Sequence, residues 1–396
     1  MTTLRLPIYL DHHATTQVDP RVLEAMLPYF SQTFGNPGST NHDFGRQALE
    51  AVERARESVA AALGAEPAEI VFTSGATESN NLAIQGVAER PRRKGNHLVS
   101  VATEHHAVLD PLAHLGRRGY EVTLLPVAPA GDRLAGCIDP QQVADALRDD
   151  TILVSVMLAN NEIGALHPVA EIGRLCHEHG VLFHCDATQA VGKLPVDVDE
   201  LSVDLLSLSA HKMYGPKGVG ALYVRGKQPH VRLEPQILGG GQEEGRRSGT
   251  LNVPGIVGLA KALELSLELL PTEGQRLADL SNRLYAGLLA AIGDVRLHGP
   301  ALDSGRRLPG NLNVGFPGVD GEALLLEMRD VAVSSGAACT SVSPEPSHVL
   351  RALGLDDDLV RASLRFGLGR GTTAEEIDFT IGAVVDAVER LKALGR

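Results

Sequence analysis

The residues best equipped for chemistry in this sequence stand where apolar runs give way to polar turns. Lys212 ends "DLLSLSAHK" behind Ser209 and His211; Asp186 ends "VLFHCD", with Gln189 just beyond; His105 follows "HLVSVATE", and Asn161 follows "TILVSVMLAN". A fifth run, "EIVFTS", leads into "GATESNN", which carries Ala76 and Thr77. An amine leaving a buried strand is partly desolvated, and the lowered pKa that results suits Schiff-base formation. A carboxylate can keep a pyridine nitrogen protonated, which makes the ring an electron sink. A glycine-led helix start, with the Thr77 hydroxyl, offers donors to a phosphate or carboxylate. His105 can stack on a ring or shuttle a proton. Taken singly, each has a plainer reading as a helix cap, a surface lysine at a strand end or a turn residue. "GATESNN" has neither the spacing and lysine of a Walker A loop nor a G-x-G-x-x-G fingerprint. Jointly, a phosphate turn, a carboxylate, a lysine and a ring-stacking histidine at strand ends point to an enzyme that uses pyridoxal 5'-phosphate (PLP).

Cys339 lies in "VSSGAACTSVSPEPSH", among small and hydroxylated residues. It can be read as a buried thiol, a metal ligand or a nucleophile. No lysine or arginine flanks it, so an unperturbed thiol there, with a pKa of about 8.5, is mostly protonated at neutral pH. The Ser, Gly, Ala and Pro around it make little core and permit motion. The other cysteines, Cys137, Cys176 and Cys185, are widely scattered and read as structural, a pattern suited to a reducing compartment. His184, Cys185 and Asp186 are the nearest thing to a ligand cluster, but neighbours on a strand face opposite ways, so no intrinsic metal is expected. His12 and His13 are read as N-terminal packing.

These groups need a scaffold. At 396 residues the chain exceeds a usual single core, so two domains are expected. Strand-like runs at 69–74, 97–102, 151–158, 181–187, 204–210 and 220–225 alternate with helical segments, which implies a mainly parallel α/β sheet covered on both faces. A helical stretch at 253–270 links this sheet to "GNLNVGF", "VAVSS" and a C-terminal amphipathic helix. The expected division is a large domain at 16–264, with 1–15 and 265–396 forming a smaller α/β domain that carries the cysteine segment. In open sheets of this kind ligands bind beyond the carboxyl ends of the strands, where the reactive residues fall. With a formal net charge of -13, direct binding to nucleic acid is not expected. There is no long apolar span and no signal-like N-terminus, which points to a cytoplasmic protein away from membranes.

Longer segments carry a family resemblance. "YLDHHATTQVDPRV", "FGNPGS", "VFTSGATESNNLAI", "ANNEIG", "DATQAVGKLPVDV", "SAHKMYGPKGVGALYVR", "GGGQEEGRRSGT", "SSGAACTS", "EPSHVLRALGL" and "LRFGLGR" resemble successive signatures of a NifS/IscS-type cysteine desulfurase, one of the class V aminotransferase-like enzymes. The resemblance runs from about Tyr9 to the C-terminus. It implies the PLP-dependent transferase fold type I, with a seven-stranded, mainly parallel sheet in the large domain. It implies that Lys212 holds PLP, Asp186 pairs with the pyridinium, Gln189 bonds the ring hydroxyl and His105 stacks on the ring. Ala76, Thr77, Ser209 and His211 would hold the phosphate, and Thr250 would reach the phosphate of a neighbouring subunit, which implies a homodimer. Arg365 would clamp the substrate carboxylate, helped by Asn36 and Asn161. L-Cysteine would be converted to L-alanine, with Lys212 removing the Cα proton and Cys339 taking the sulfur as a persulfide; His105 is the expected acceptor of the thiol proton. The sulfur would pass to an acceptor such as an iron–sulfur scaffold protein or a tRNA thiolation enzyme, and Cys339 could contact a nascent cluster on such a partner. The sequence ends without the C-terminal extension that housekeeping IscS proteins use in docking to a scaffold. The nearest alternatives are a selenocysteine lyase or an aminotransferase of the same fold, although a transaminase has no use for a loop thiol.

Overall fold

The computed structural model describes residues 4–90, 95–335 and 346–394. Its strands, in chain order, are β1 (Ile8–Tyr9), β2 (Ile70–Thr73), β3 (His97–Val101), β4 (Glu121–Leu125), β5 (Thr151–Ser155), β6 (Leu182–Asp186), β7 (Leu205–Ser209), β8 (Gly220–Val224), β9 (Arg296–His298), β10 (Asn311–Gly315), β11 (Val331–Ala332), β12 (Ser334–Ser335) and β13 (Ser363–Gly367). Strands β2 to β8 form one seven-stranded sheet in the order β2-β8-β7-β6-β5-β3-β4, parallel except that β8 runs against both its neighbours. Six of these strands match the apolar runs of the sequence. The seventh, β4, is an edge strand whose alternating "EVTLL" leaves polar residues half exposed, so it lacks the continuous apolar signal of the buried strands.

Both faces of this sheet are covered, which explains why its central strands are mostly apolar and buried at nearly every position. Val99, Val154, Phe183, Leu206 and Tyr223 pack on one side with the helices Asp43–Leu63 and Val169–Glu178 and the start of the long helix Val253–Ile292. Their neighbours Leu98, Leu153, Leu205 and Leu222 face the other way, onto the helices Ala76–Ala88 and His106–Arg117. Each such side chain removed from water contributes about 1.5–3 kcal/mol before entropy is counted.

A second, antiparallel sheet has the order β12-β13-β10-β9. Leu312, Val314, Leu364 and Phe366 form its own core with the C-terminal helix Ala374–Leu394. The N-terminal segment joins this core: β1 pairs with β11, and Ile8 and Leu10 are buried in it. The 40-residue helix Val253–Ile292 spans both cores, burying Val253 to Ser266 at its start and Leu277, Leu284 and Leu288 further on. It is about 60 Å long at 1.5 Å per residue. The expected stop near residue 270 does not occur, because the helix runs on through Pro271. Among the described residues no helix is long and apolar enough to cross a membrane.

Candidate active site

Because β2 and β7 both run against β8, their carboxyl ends lie on the same edge of the sheet as those of β3, β5 and β6. The turns leaving these strands surround a cavity of about 630 Å³. Ala76, Thr77, His105, Asn161, Asp186, Gln189, Ser209, His211, Lys212 and Arg365 all line it. They come from five strand ends and, for Arg365, from β13 of the second sheet, so the cavity lies between the two cores.

At one end Gly75 starts the helix Ala76–Ala88 with φ 146°, a conformation open to glycine, and offers no side-chain cap. The N–H groups of the first turn are therefore left for a ligand. Ser209, His211 and Lys217 border the same cavity. Burial lowers the His211 pKa to about 4, with Lys212 and then Lys217 adding to the shift, and its Nδ1 pairs with the Thr15 hydroxyl at 3.1 Å.

In the middle, the Asp186 carboxylate is held from two sides: Asn80 Nδ2 donates to Oδ2 at 2.7 Å and the Thr188 N–H to Oδ1 at 2.9 Å. Neither donor neutralises the charge, so the carboxylate can still meet a protonated ring nitrogen. Lys212 Nζ donates to the carbonyls of His13 and Ala14 at 2.7 and 2.6 Å, which fixes the N-terminal segment over the lysine. Gln189 is engaged twice, donating to the His13 carbonyl at 2.8 Å and accepting from Lys193 Nζ at 2.8 Å. Burial lowers Lys193 to about 7, with Lys212 and Arg365 adding to the shift.

His105 caps the helix His106–Arg117, its Nδ1 accepting the Ala107 N–H at 3.0 Å. Nδ1 is thus the lone-pair nitrogen and Nε2 carries the ring proton. Burial, the largest influence, also lowers its pKa, which Asp186 opposes and Lys212 reinforces. This geometry equips the ring to stack and to donate from Nε2; accepting a thiol proton would require Nδ1 to give up the helix cap.

Two of the expected residues lie elsewhere. Asn36 does not line the cavity. Its Oδ1 accepts the Gly38 N–H at 2.9 Å, and with Thr250 it borders a separate cavity of about 500 Å³. The segment around Asn36 is folded back tightly, since a Cβ on Gly35 would fall 2.0 Å from the Phe44 carbonyl oxygen, and this holds Asn36 beside the residues that precede Leu251. Thr250, assigned to a neighbouring subunit's phosphate, is likewise outside this chain's own cavity. Cys339 lies outside the described residues. The chain before its segment is tied to Arg365, from which Ser334 Oγ accepts while donating to Asp11, and the chain after it to Glu162, to which Ser347 Oγ donates at 2.5 Å.

Other residues complete the wall. His13, taken as packing, lines the cavity, as do Thr15, Lys217 and Asn80. The signal for them was present in "DHHATT" and "GPKG", polar stretches with no evident partner nearby in sequence. Among the described residues no group of three His, Cys, Asp or Glu side chains is placed to hold a metal.

A lysine and a carboxylate at strand ends on a covered, mainly parallel sheet, with a cation on the second sheet, define an amino-acid-transforming enzyme of the aminotransferase kind. Residues 8–379 match the family Aminotransferase class-V. The chain is 57% identical over 391 residues to the cysteine desulfurase IscS of Anaeromyxobacter sp. (strain Fw109-5), covering 99% of this chain and 95% of that protein. It also superposes on a solved NifS-like protein with a TM-score of 0.88 at 37% identity, covering 98% of this chain and 100% of the other. A second solved structure, SspA in complex with cysteine, gives a TM-score of 0.78 at 40% identity over 91% of this chain and 98% of that one. The chain belongs to the class V aminotransferase family and, within it, to the cysteine desulfurases of the IscS type.

Proposed function

We propose that this protein is a PLP-dependent cysteine desulfurase that converts L-cysteine to L-alanine and keeps the sulfur as a persulfide on Cys339. The observation that carries the reading is the meeting of Lys212, Asp186 and Arg365 on one cavity in a chain of the desulfurase family. The donor set fits PLP. A bare helix start with two hydroxyls and Lys217 suits a phosphate, a fixed carboxylate suits a pyridinium, and an amine held by two carbonyls sits beside both. A volume of about 630 Å³ falls in the range common for cofactor and ligand sites.

Lys212 would hold the cofactor through Nζ, Asp186 would face its ring nitrogen, His105 would stack on the ring, and Ala76, Thr77, Ser209 and His211 would take its phosphate. Gln189 and Asn161 would border the ring, Gln189 toward the ring hydroxyl. When bound, PLP supplies an electron sink for the pair released from the substrate's Cα–H bond. Lys212 Nζ takes that proton as a general base. Arg365 binds the substrate carboxylate, kept in place by Asp11 and Ser334, whose oxygens both accept from its Nη2. The Cys339 thiolate then attacks the substrate sulfur. The C–S bond breaks, its electron pair stays on Cβ, and two protonations, at Cβ and Cα, give alanine, while the S–S bond formed leaves a persulfide.

The finer reading extends to a cytoplasmic homodimer in which Thr250 of each subunit serves the other's phosphate site. It extends also to delivery of sulfur to an iron–sulfur scaffold or a tRNA thiolation enzyme. The test is direct. Purified protein with PLP and L-cysteine should yield alanine and one persulfide per chain, detected by mass on the peptide containing Cys339. The Cys339→Ala variant should keep its cofactor absorbance and lose both products. Undiminished alanine release by that variant would overturn the persulfide step.

A further inference from the structure

Among the described residues, two side chains of the cavity wall have buried nitrogens without a hydrogen-bond partner, His13 and Arg365. His13 is 2% exposed, and neither of its ring nitrogens has a hydrogen-bond partner among the described residues. Arg365 is 5% exposed, and its Nε is in the same condition. Buried polar groups without partners cost stability and are rare, so two on one wall point to a ligand that satisfies them.

The rest of Arg365 is committed. Nη2 donates to Asp11 Oδ1 at 2.8 Å and to Ser334 Oγ at 2.7 Å, which uses both its protons. Nη1 donates to the Asn161 carbonyl at 3.1 Å. A carboxylate approaching this guanidinium therefore finds Nε available but not a complete two-pronged edge. Its second oxygen needs another donor.

His13 stands in the place for one. A Cβ built on Gly367 would lie 3.3 Å from His13 Cγ, so the imidazole packs directly over Gly367. Gly367 and Arg365 are two residues apart on β13 and share a face of the strand. The His13 ring and the Arg365 side chain are thus neighbours on that face, and both line the cavity. The N-terminal segment cannot drift, since the His13 carbonyl accepts from both Lys212 Nζ and Gln189 Nε2.

We propose that His13 is a substrate-binding residue, its ring N–H donating to one carboxylate oxygen of the amino acid while Arg365 Nε donates to the other. Burial, followed by the charges of Lys193, Arg365 and Lys212, holds the His13 pKa well below that of an ordinary histidine, so the ring is neutral and has one N–H to give. The recognition is then of the carboxylate common to α-amino acids, shared between a charged and a neutral donor. This inference rests on the reading of the cavity as an amino-acid site.

The test uses the PLP-loaded enzyme and two probes that differ only in the carboxylate, L-alanine and ethylamine, with binding read from the change in the cofactor's absorbance. His13→Ala should weaken L-alanine by about 10- to 100-fold, the usual cost of a hydrogen bond to a charged group, and leave ethylamine within about twofold. His13→Asn, which keeps a donor, should recover most of the loss, and His13→Leu should not. If His13→Ala fails to retain PLP, the Asn and Leu variants decide the matter between them. Equal effects on both probes, or none on L-alanine, would overturn the proposal. Failure of the broader reading looks different: wild-type holoenzyme would then make no alanine from L-cysteine and bind neither probe.

Discussion

At the scale of single residues, the cavity is governed by which groups carry charge and which are kept neutral. Lys212, Lys217 and Arg365 give it a cationic lining suited to a phosphate at one end and a carboxylate at the other. Beneath it, Glu104 is fully buried; its Oε1 accepts the Met157 N–H at 2.5 Å and its Oε2 has no partner among the described residues. Burial, and then the charge of Asp186, raises its pKa well above the usual carboxylate value, so it stays protonated when folded. The unfolded chain loses that proton at pH of about 4.3, and above this the folded state binds the extra proton. Glu104 therefore costs stability as pH rises from there toward its folded pKa. The variant Glu104→Gln, neutral at every pH, should gain on the wild type between pH 5 and pH 8 in urea unfolding at matched concentrations. A difference that stays constant across that range would show that Glu104 is ionised in the folded protein.

At the scale of elements, the site is a property of strand ends. The buried strands stop where their apolar runs stop, and the side chains just beyond converge because parallel strands end on one edge. The helix Ala76–Ala88 has two duties. Its first turn, without a side-chain cap, presents N–H groups to the cavity, and one turn later it supplies Asn80, which fixes Asp186. Gly75, at φ 146°, sets the angle between β2 and that helix. Gly75→Ala forces a side chain into a backbone conformation that costs about 1–3 kcal/mol. The expected result is a cofactor affinity lowered by roughly tenfold or more in PLP titration of the apoprotein, converting that cost at 1.4 kcal/mol per decade. Unchanged affinity would mean that the helix start does not carry the phosphate.

At the scale of the whole molecule, two cores meet across the cavity. The main sheet provides the cofactor groups, the second sheet provides Arg365, and β1 brings His13 between them by pairing with β11. The ion pair of Arg370 with Asp19 at 2.8 Å, with the Arg370 guanidinium 4.1 Å from the Tyr214 ring centre, ties the turn after β13 to the N-terminal segment and to the loop after Lys212. Thr250 and Asn36 lie apart from this cavity, together on another. If Thr250 serves a neighbouring subunit, the variants Lys212→Ala and Thr250→Val should complement one another. Each should be impaired alone, whereas heterodimers formed by mixing and refolding should regain activity, since one of their two sites has both residues intact. Additive behaviour, with no gain on mixing, would exclude the shared site.

How much of this was legible beforehand follows from which interactions are local. The apolar runs marked six of the seven strands of the main sheet, because a strand buried on both faces is mostly apolar; β4, at the edge and partly exposed, escaped because it need not be. Lys212, Asp186, His105 and the "GATESNN" turn were readable because their position after a strand is itself a local fact. The same local reading could not see that His105 spends its Nδ1 on a helix cap, or that Arg365 has most of its fork taken by Asn161, Asp11 and Ser334. Nor could it separate Asn36 from Arg365 or bring His13 to the wall. By itself the sequence determined the class of fold and the reactive groups, since burial patterns and residue types are written along the chain. The tertiary structure alone decided which of those groups face one another and which hydrogen-bonding atoms remain for a ligand, because both depend on packing between segments hundreds of residues apart.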